Sequence, residues 1–185
     1  MENNDRSDFI SQLEYYDIIF KIEGEKIIVG DPDSMDQLDL DNNRFISIPD
    51  NVVFVNLGML WLNRVTHLGN NVSFLNDGFI NLENLHSDLP PSTEFKNKGF
   101  VDLRRLIRLS PETKFENSDG VYLLSIKSDD VPDNVFFLNG GTIAFSDFNL
   151  KELENHDIEA FVIPSIKMGM LMNSMRKRNL FTKSK

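Results

Sequence analysis

Apolar residues alternate with polar ones in short runs along the middle of this chain, and the runs return. "FVNLGMLWL" starts at residue 54, "FLNDGFINL" at 74, "FKNKGFVDL" at 95, "FENSDGVYL" at 115 and "FLNGGTIAF" at 137. Phe54, Phe74, Phe95, Phe115 and Phe137 share one slot, at separations of 20, 21, 20 and 22 residues, which is a solenoid period. Two residues on, each copy has asparagine: Asn56, Asn76, Asn97, Asn117 and Asn139. Two further on stand Gly58, Gly78, Gly99, Asp119 as the exception, and Gly141. The next two even steps are apolar, Leu60, Ile80, Val101, Val121 and Ile143, then Leu62, Leu82, Leu103, Leu123 and Phe145. Val65, Leu85, Leu106, Ile126 and Phe148, then Ile48, Leu68, Leu89, Leu109 and Val131, supply two more apolar slots before the turn.

A step of two is strand periodicity, with the even positions inward and the odd ones outward. One such strand cannot bury its inner face, so the coils must stack strand on strand, about 4.8 Å per coil, in parallel. Equal slots then become ladders: phenylalanine on phenylalanine in the core, and asparagine amides bonding to neighbouring coils. A row of ligands is the rival reading of the asparagines. The periodicity needs none, and amides alone hold cations weakly. Glycine in the middle of the motif is expected to let the chain bend from one side of the coil to the next.

The predicted fold is therefore all-β: a parallel β-solenoid of about five coils of 20–22 residues, spanning 48–150. Its open ends need caps. Residues 1–47 are expected to supply one. "YYDIIFKIEGEKIIVGD" at 15–31 reads as a hairpin, with Ile18, Phe20 and Ile22 alternating before a turn at "EGE", and "MDQLDLDNNRFISI" as a degenerate coil with Leu38 and Leu40 inward. Residues 151–185 are expected to cap the other end with a strand near 160–163 and a short helix, since Ile166, Met170, Leu171 and Met175 fall at helical spacing.

Composition narrows the function classes. The formal net charge is −10, which disfavours a generic nucleic-acid or anionic-membrane binder. The charge is uneven. Residues 165–185 hold Lys167, Arg176, Lys177, Arg178, Lys183 and Lys185 and no acid, so the other 13 basic and all 29 acidic residues lie in 1–164, a local −16. That basic end reads either as the solvated face of a capping helix or as a docking tail. The chain has no cysteine, which excludes disulfides, thiolate nucleophiles and Cys-based metal sites. No run reaches the roughly 18 apolar residues of a membrane span, and "MENNDRSDF" is unlike a secretory leader, so a cytoplasmic chain is expected. The sequon at Asn71 is then a chance match.

Candidate chemistry is sparse. Asp39, Asp41 and Asn43 imitate the first half of a calcium loop, but Arg44 stands where the loop needs glycine and no glutamate closes it. His67 and His86 fall at similar coil positions without an acidic pair or nucleophile to make a catalytic set. No Walker, GxSxG, HExxH or dinucleotide-binding motif occurs. The expectation is a non-enzymatic chain with neither cofactor nor metal.

The run FxNxGxVxL, followed by a leucine and then LP or IP, resembles the tandem leucine-rich-like repeats of hypothetical proteins from bacteriophages and their bacterial hosts, over residues 48–150. The resemblance implies a repeat architecture, and the host cytoplasm if the chain is phage-encoded, and is nearly silent on activity. Here the asparagine precedes the strand's apolar pair instead of following it, and no outer helix is apparent between coils. A compact β-solenoid is therefore expected over a horseshoe.

The odd positions carry the functional expectation. Met59, Phe79 and Phe100 fall in one outward row, Trp61 and Tyr122 in the next. Contiguous surface aromatics are typical of binding sites. An unidentified protein partner is expected on Met59, Trp61, Phe79, Phe100 and Tyr122, unless a terminal segment folds over them. A virion component and an acidic decoy imitating nucleic acid are the other two classes. The oligomeric state is open.

Overall fold

The computed structural model describes residues 2–41, 45–132, 134–139 and 143–146. In chain order its elements are α1 (Glu2–Tyr15), β1 (Phe20–Glu23), β2 (Lys26–Val29), β3 (Leu38–Asp39), β4 (Ser47–Ile48), β5 (Val52–Asn56), β6 (Leu60–Trp61) and β7 (His67–Leu68). Then come β8 (Ser73–Asn76), β9 (Ile80–Asn81), β10 (Glu94–Asn97), β11 (Val101–Asp102), β12 (Lys114–Asn117), β13 (Val121–Leu123), a 3-10 turn (Ser128–Asp130), β14 (Phe136–Asn139) and β15 (Ile143–Phe145). They stack as a parallel β-solenoid of about five turns. Each coil has three sides. The longest is a sheet in the order β1-β2-β5-β8-β10-β12-β14, the second runs β15-β13-β11-β9-β6-β3, and the third is the pair β4-β7, with an isolated bridge between Asp88 and Arg108 two coils further on. Every pairing is parallel except that of β1 with β2.

The register is the one the repeat requires. Phe54 pairs with Phe74, Phe74 with Phe95, Phe95 with Phe115 and Phe115 with Phe137. Their rings stack at centroid distances of 5.3, 4.7, 4.9 and 4.9 Å, within 10° of parallel. Identical side chains one strand spacing apart can do little else, and each stacked pair adds about 0.5–1.5 kcal/mol to the area it buries. The apolar slots of Leu60, Leu62 and Val65 and their equivalents through Leu106 are completely buried.

The chain bends at Gly58, Gly78 and Gly99 as expected, and their place in the motif has a further cause. None of Gly58, Gly78 and Gly99 has positive φ. A Cβ on Gly78 would instead strike the carbonyl of Gly58, and one on Gly99 the carbonyl of Gly78. The coils touch backbone to backbone at this corner, so only hydrogen fits. Asp119 fills the slot in the fourth coil while the hydrogen bonds on either side persist, Ser118 N to Asn97 O at 3.0 Å and Val101 N to Gly120 O at 2.9 Å. Nothing in the structure explains why this coil tolerates a side chain there.

The first end differs from the expectation in two respects. Residues 2–15 form a helix before the hairpin, where no helix was read. It buries Phe9 and Leu13 against the end of the core, with the Phe9 ring edge-on to Phe45 at 5.5 Å. It stops because Asp17 turns left-handed, at φ 54°, while Ile18 N bonds to Leu13 O at 2.9 Å and Asp17 N to Glu14 O at 3.2 Å. That is a Schellman ending, with Ile18 packed on the core. The second difference concerns the hairpin. It turns at Gly24, φ 60°, as read, but β2 pairs in parallel with β5 and so belongs to the degenerate first coil. Of the two leucines expected inward, Leu40 is fully buried and Leu38 half-buried, while Ile22 of the hairpin is half-exposed. The strand and helix expected within 151–185 lie outside the described residues, as does the basic tail.

Candidate interaction surface

The two rows of outward residues lie on adjoining parts of one surface. Met59, Phe79 and Phe100 each immediately precede a strand of the second sheet, beside β6, β9 and β11. Trp61 and Tyr122 sit on β6 and β13 themselves. Met59 is 48% exposed, while Trp61, Phe79, Phe100 and Tyr122 are half-buried. The surface is held flat by the sheet beneath it, through Leu60 N to Phe79 O and Ile80 N to Phe100 O, both at 2.8 Å.

Within this surface the rings pair across the rows and not along them. Trp61 meets Phe79 edge-to-face at 5.6 Å, and Phe100 stacks on Tyr122 at 5.4 Å with 22° between planes. Two aromatic pairs result, and the second-row residues between them are Asn81 and Asp102. The physical reason is side-chain length: rings on neighbouring rows can reach each other diagonally, within the reach of aromatic side chains. The indole Nε1 of Trp61 is buried without a hydrogen-bond partner among the described residues.

Asp102 is the group the sequence did not reveal. Although in an outward slot it is 2% exposed, as Asn81 in the same slot is 6% exposed, and Arg104 folds back on it: Nε donates to both carboxylate oxygens at 3.0 Å and Nη2 closes the fork. The backbone N of Arg104 adds a bond to Oδ1 at 3.2 Å. Hydrogen bonding to Asp102 raises the guanidinium above its ordinary pKa. The signal was the spacing Asp-x-Arg at the end of a strand, which places an acceptor and a fork two residues apart. Asn81 plays the same turn role one coil earlier, accepting from Glu83 N at 3.0 Å.

The asparagine slot is structural over its central coils. Asn76 Nδ2 donates to Asn97 Oδ1 and Asn97 Nδ2 to Asn117 Oδ1, each at 3.1 Å, and Asn117 Nδ2 also reaches Gly120 O at 3.1 Å. Asn56 departs from the ladder, donating to Met59 O at 3.2 Å, which leaves Asn76 Oδ1 without a partner among the described residues.

His67 and His86 are neighbours as expected, with ring centroids 5.9 Å apart. Both are exposed. His67 Nδ1 shares a hydrogen with Thr66 Oγ1 at 2.8 Å, and His86 Nδ1 donates to Asn84 O at 2.9 Å. Among the described residues no three His, Asp or Glu side chains gather as metal ligands, and no helix is long and apolar enough to cross a membrane.

No protein-family model, no curated protein and no solved structure matches this chain.

Proposed function

We propose that the chain is a non-enzymatic protein–protein interaction module, and that its partner docks on the surface formed by Met59, Trp61, Phe79, Phe100 and Tyr122. The observation that supports this reading is the pair of aromatic contacts, Trp61 with Phe79 and Phe100 with Tyr122, held half-exposed on a sheet of fixed register. Rigid aromatic rings offer large apolar area with little entropy left to lose on binding. The acidic body around them favours a partner with basic groups beside its apolar contact.

Cytoplasmic residence, in a host cell for a phage-encoded chain, belongs to the same proposal.

The experiment is affinity capture from the native host with the wild type beside Trp61→Ala and Phe100→Ser. The expected result is one discrete partner, lost in both variants while circular dichroism and melting temperature hold. Undiminished capture by both variants would sink the reading, and unfolding of both would show the surface to be core.

A further inference from the structure

A second site lies on a different corner of the coil, between the second and third sides. Arg64, Asn84, Arg105 and Ser125 occupy equal positions two residues beyond the Leu62, Leu82, Leu103 and Leu123 slot. Parallel stacking therefore sets Arg64 and Arg105 two coils apart, about 10 Å between their backbones, with Asn84 between them. The corner is rigid: Val65 N bonds to Leu62 O, Leu85 N to Leu82 O and Leu106 N to Leu103 O, each at 3.0 Å. Asn84 ties the row together, donating to Asn63 O at 2.6 Å and accepting from Arg105 Nη1 at 2.7 Å.

Asn63, Arg64, Asn84 and Arg105, with Thr66 and His86, line an open groove of about 360 Å³ over Ile46, and among the described residues no carboxylate lines it. The contrast with the nearby cations is informative. Arg104 is engaged by Asp102, Arg108 by Asp88, Lys98 by Asp77 and Lys96 by Glu116. Among the described residues neither Arg64 nor Arg105 is within ion-pair distance of a carboxylate. In a chain of formal charge −10, two uncompensated guanidiniums face one groove. Of the other polar groups there, His86 donates Nδ1–H to Asn84 O, which leaves Nε2 of the neutral ring an acceptor, and Thr66 Oγ1 is engaged by Ile46 O at 3.3 Å and His67 Nδ1 at 2.8 Å.

We propose that this groove binds a phosphoryl group, as free phosphate or as a phosphate monoester. A carboxylate has two oxygens, which one guanidinium fork satisfies. Two guanidinium forks over one groove call for an anion with at least three acceptor oxygens and more than one negative charge, which phosphate supplies at neutral pH. The site is separate from the aromatic surface and does not depend on it.

The test is isothermal titration of the full chain at constant ionic strength with inorganic phosphate, and separately with phosphoserine and a nucleoside monophosphate. Chloride serves as the control. The expected result is saturable binding that weakens at least about tenfold in Arg64→Gln and disappears in Arg64→Gln with Arg105→Gln. Both side chains are exposed, so the variants should melt with the wild type in chloride. Tighter binding of an ester than of phosphate would assign the site to a phosphorylated ligand, and equal binding to the free anion. Absence of saturable binding by all three probes, or equal binding by the double variant, would overturn the proposal. A melting-temperature rise in phosphate alone does not count as binding, because excluded salts stabilise folded proteins generally.

Discussion

Asn97 donates its amide to the Oδ1 of Asn117 at 3.1 Å in the interior of the solenoid, and each side chain is only 3% exposed. Asn97 also accepts from Asn76 and donates to Gly99 O at 2.6 Å, so one amide serves three coils. Asn97→Ala should therefore lower stability by about 1–3 kcal/mol, because its neighbours keep their desolvation and lose their partners. Asn97→Asp should be worse, since a carboxylate cannot donate to Asn117 and brings a charge into the core. Denaturant titration reads both. An Asn97→Ala variant as stable as the wild type would remove the ladder from the account of the fold.

At the glycine corner the expected effect is steric. Gly78→Ala must push apart two coils whose backbones touch, at about 1–3 kcal/mol. Asp119→Ala, in the same slot one coil beyond Gly99, already carries a Cβ and should stay within about 0.5 kcal/mol of the wild type. Equal losses at the two positions would show that the slot is disfavoured by something other than contact.

These two positions also mark what the sequence could disclose. A slot that recurs five times, such as that of Phe95, announces both its period and its inward face, because every coil meets the same neighbours above and below. The helix at 2–15 is met once. Its buried anchors are Phe9 and Leu13, four residues apart, and with Ile10 they are confined to one turn of a fourteen-residue helix, which makes a faint periodicity. The backbone contact at the glycines was hidden for a related reason: a pattern shows that a side chain is absent, not whether a turn or a neighbour forbids it. On the outer surface the two rows were legible from alternation alone. The pairing of Trp61 with Phe79 was not, since it depends on side-chain reach across coils. The burial of Asn81 and Asp102 was hidden too, because alternation assigns their slot to the outer surface while the neighbouring coils cover it.

A third expectation concerns the corner that leads into the long side. Asn51, Asn71, Ser92 and Glu112 stack there, all left-handed, with φ of 61°, 56°, 59° and 63°. Asparagine tolerates this region and glutamate does not. Glu112→Asn should relieve that strain and stabilise by about 0.5–1 kcal/mol, or roughly 1–4 °C in melting temperature. The loss of the Ser92 Oγ bond to Glu112, 3.0 Å at an exposed site, works against it but is the smaller effect. A lower melting temperature would mean that this contact outweighs the backbone strain.

Asp41 gives a pH dependence. Desolvation, and secondarily the charge of Asp39, raise its pKa above 3.8 even though the backbone N of Asn63 donates to it at 2.8 Å. A raised carboxyl favours folding while protonated, so its contribution is present in full below the unfolded value and is lost as pH rises through the folded one. Asp41→Asn keeps the acceptor oxygen and removes the charge. It should melt above the wild type at pH 7, and the difference should vanish near pH 3. A variant less stable than the wild type at pH 7 would show that the Asn63 bond needs the charged oxygen.

Trp61 is the only tryptophan in the chain, so its fluorescence reports the aromatic surface without interference. The indole lies edge-to-face with Phe79 at 5.6 Å, whereas Phe100 belongs to the other pair, stacked on Tyr122. Phe79→Ala should uncover the indole, shift its emission to longer wavelength and increase quenching by acrylamide, at a stability cost of about 0.5–1.5 kcal/mol for the lost ring contact beyond the area buried. Phe100→Ala should leave the Trp61 spectrum where it was. Rings stacked along straight rows would behave otherwise: Phe79 and Phe100 would support one another, and removing either would disturb the neighbourhood of Trp61. A shift in both variants therefore restores the straight rows, and a shift in neither means that the indole is covered by something other than Phe79.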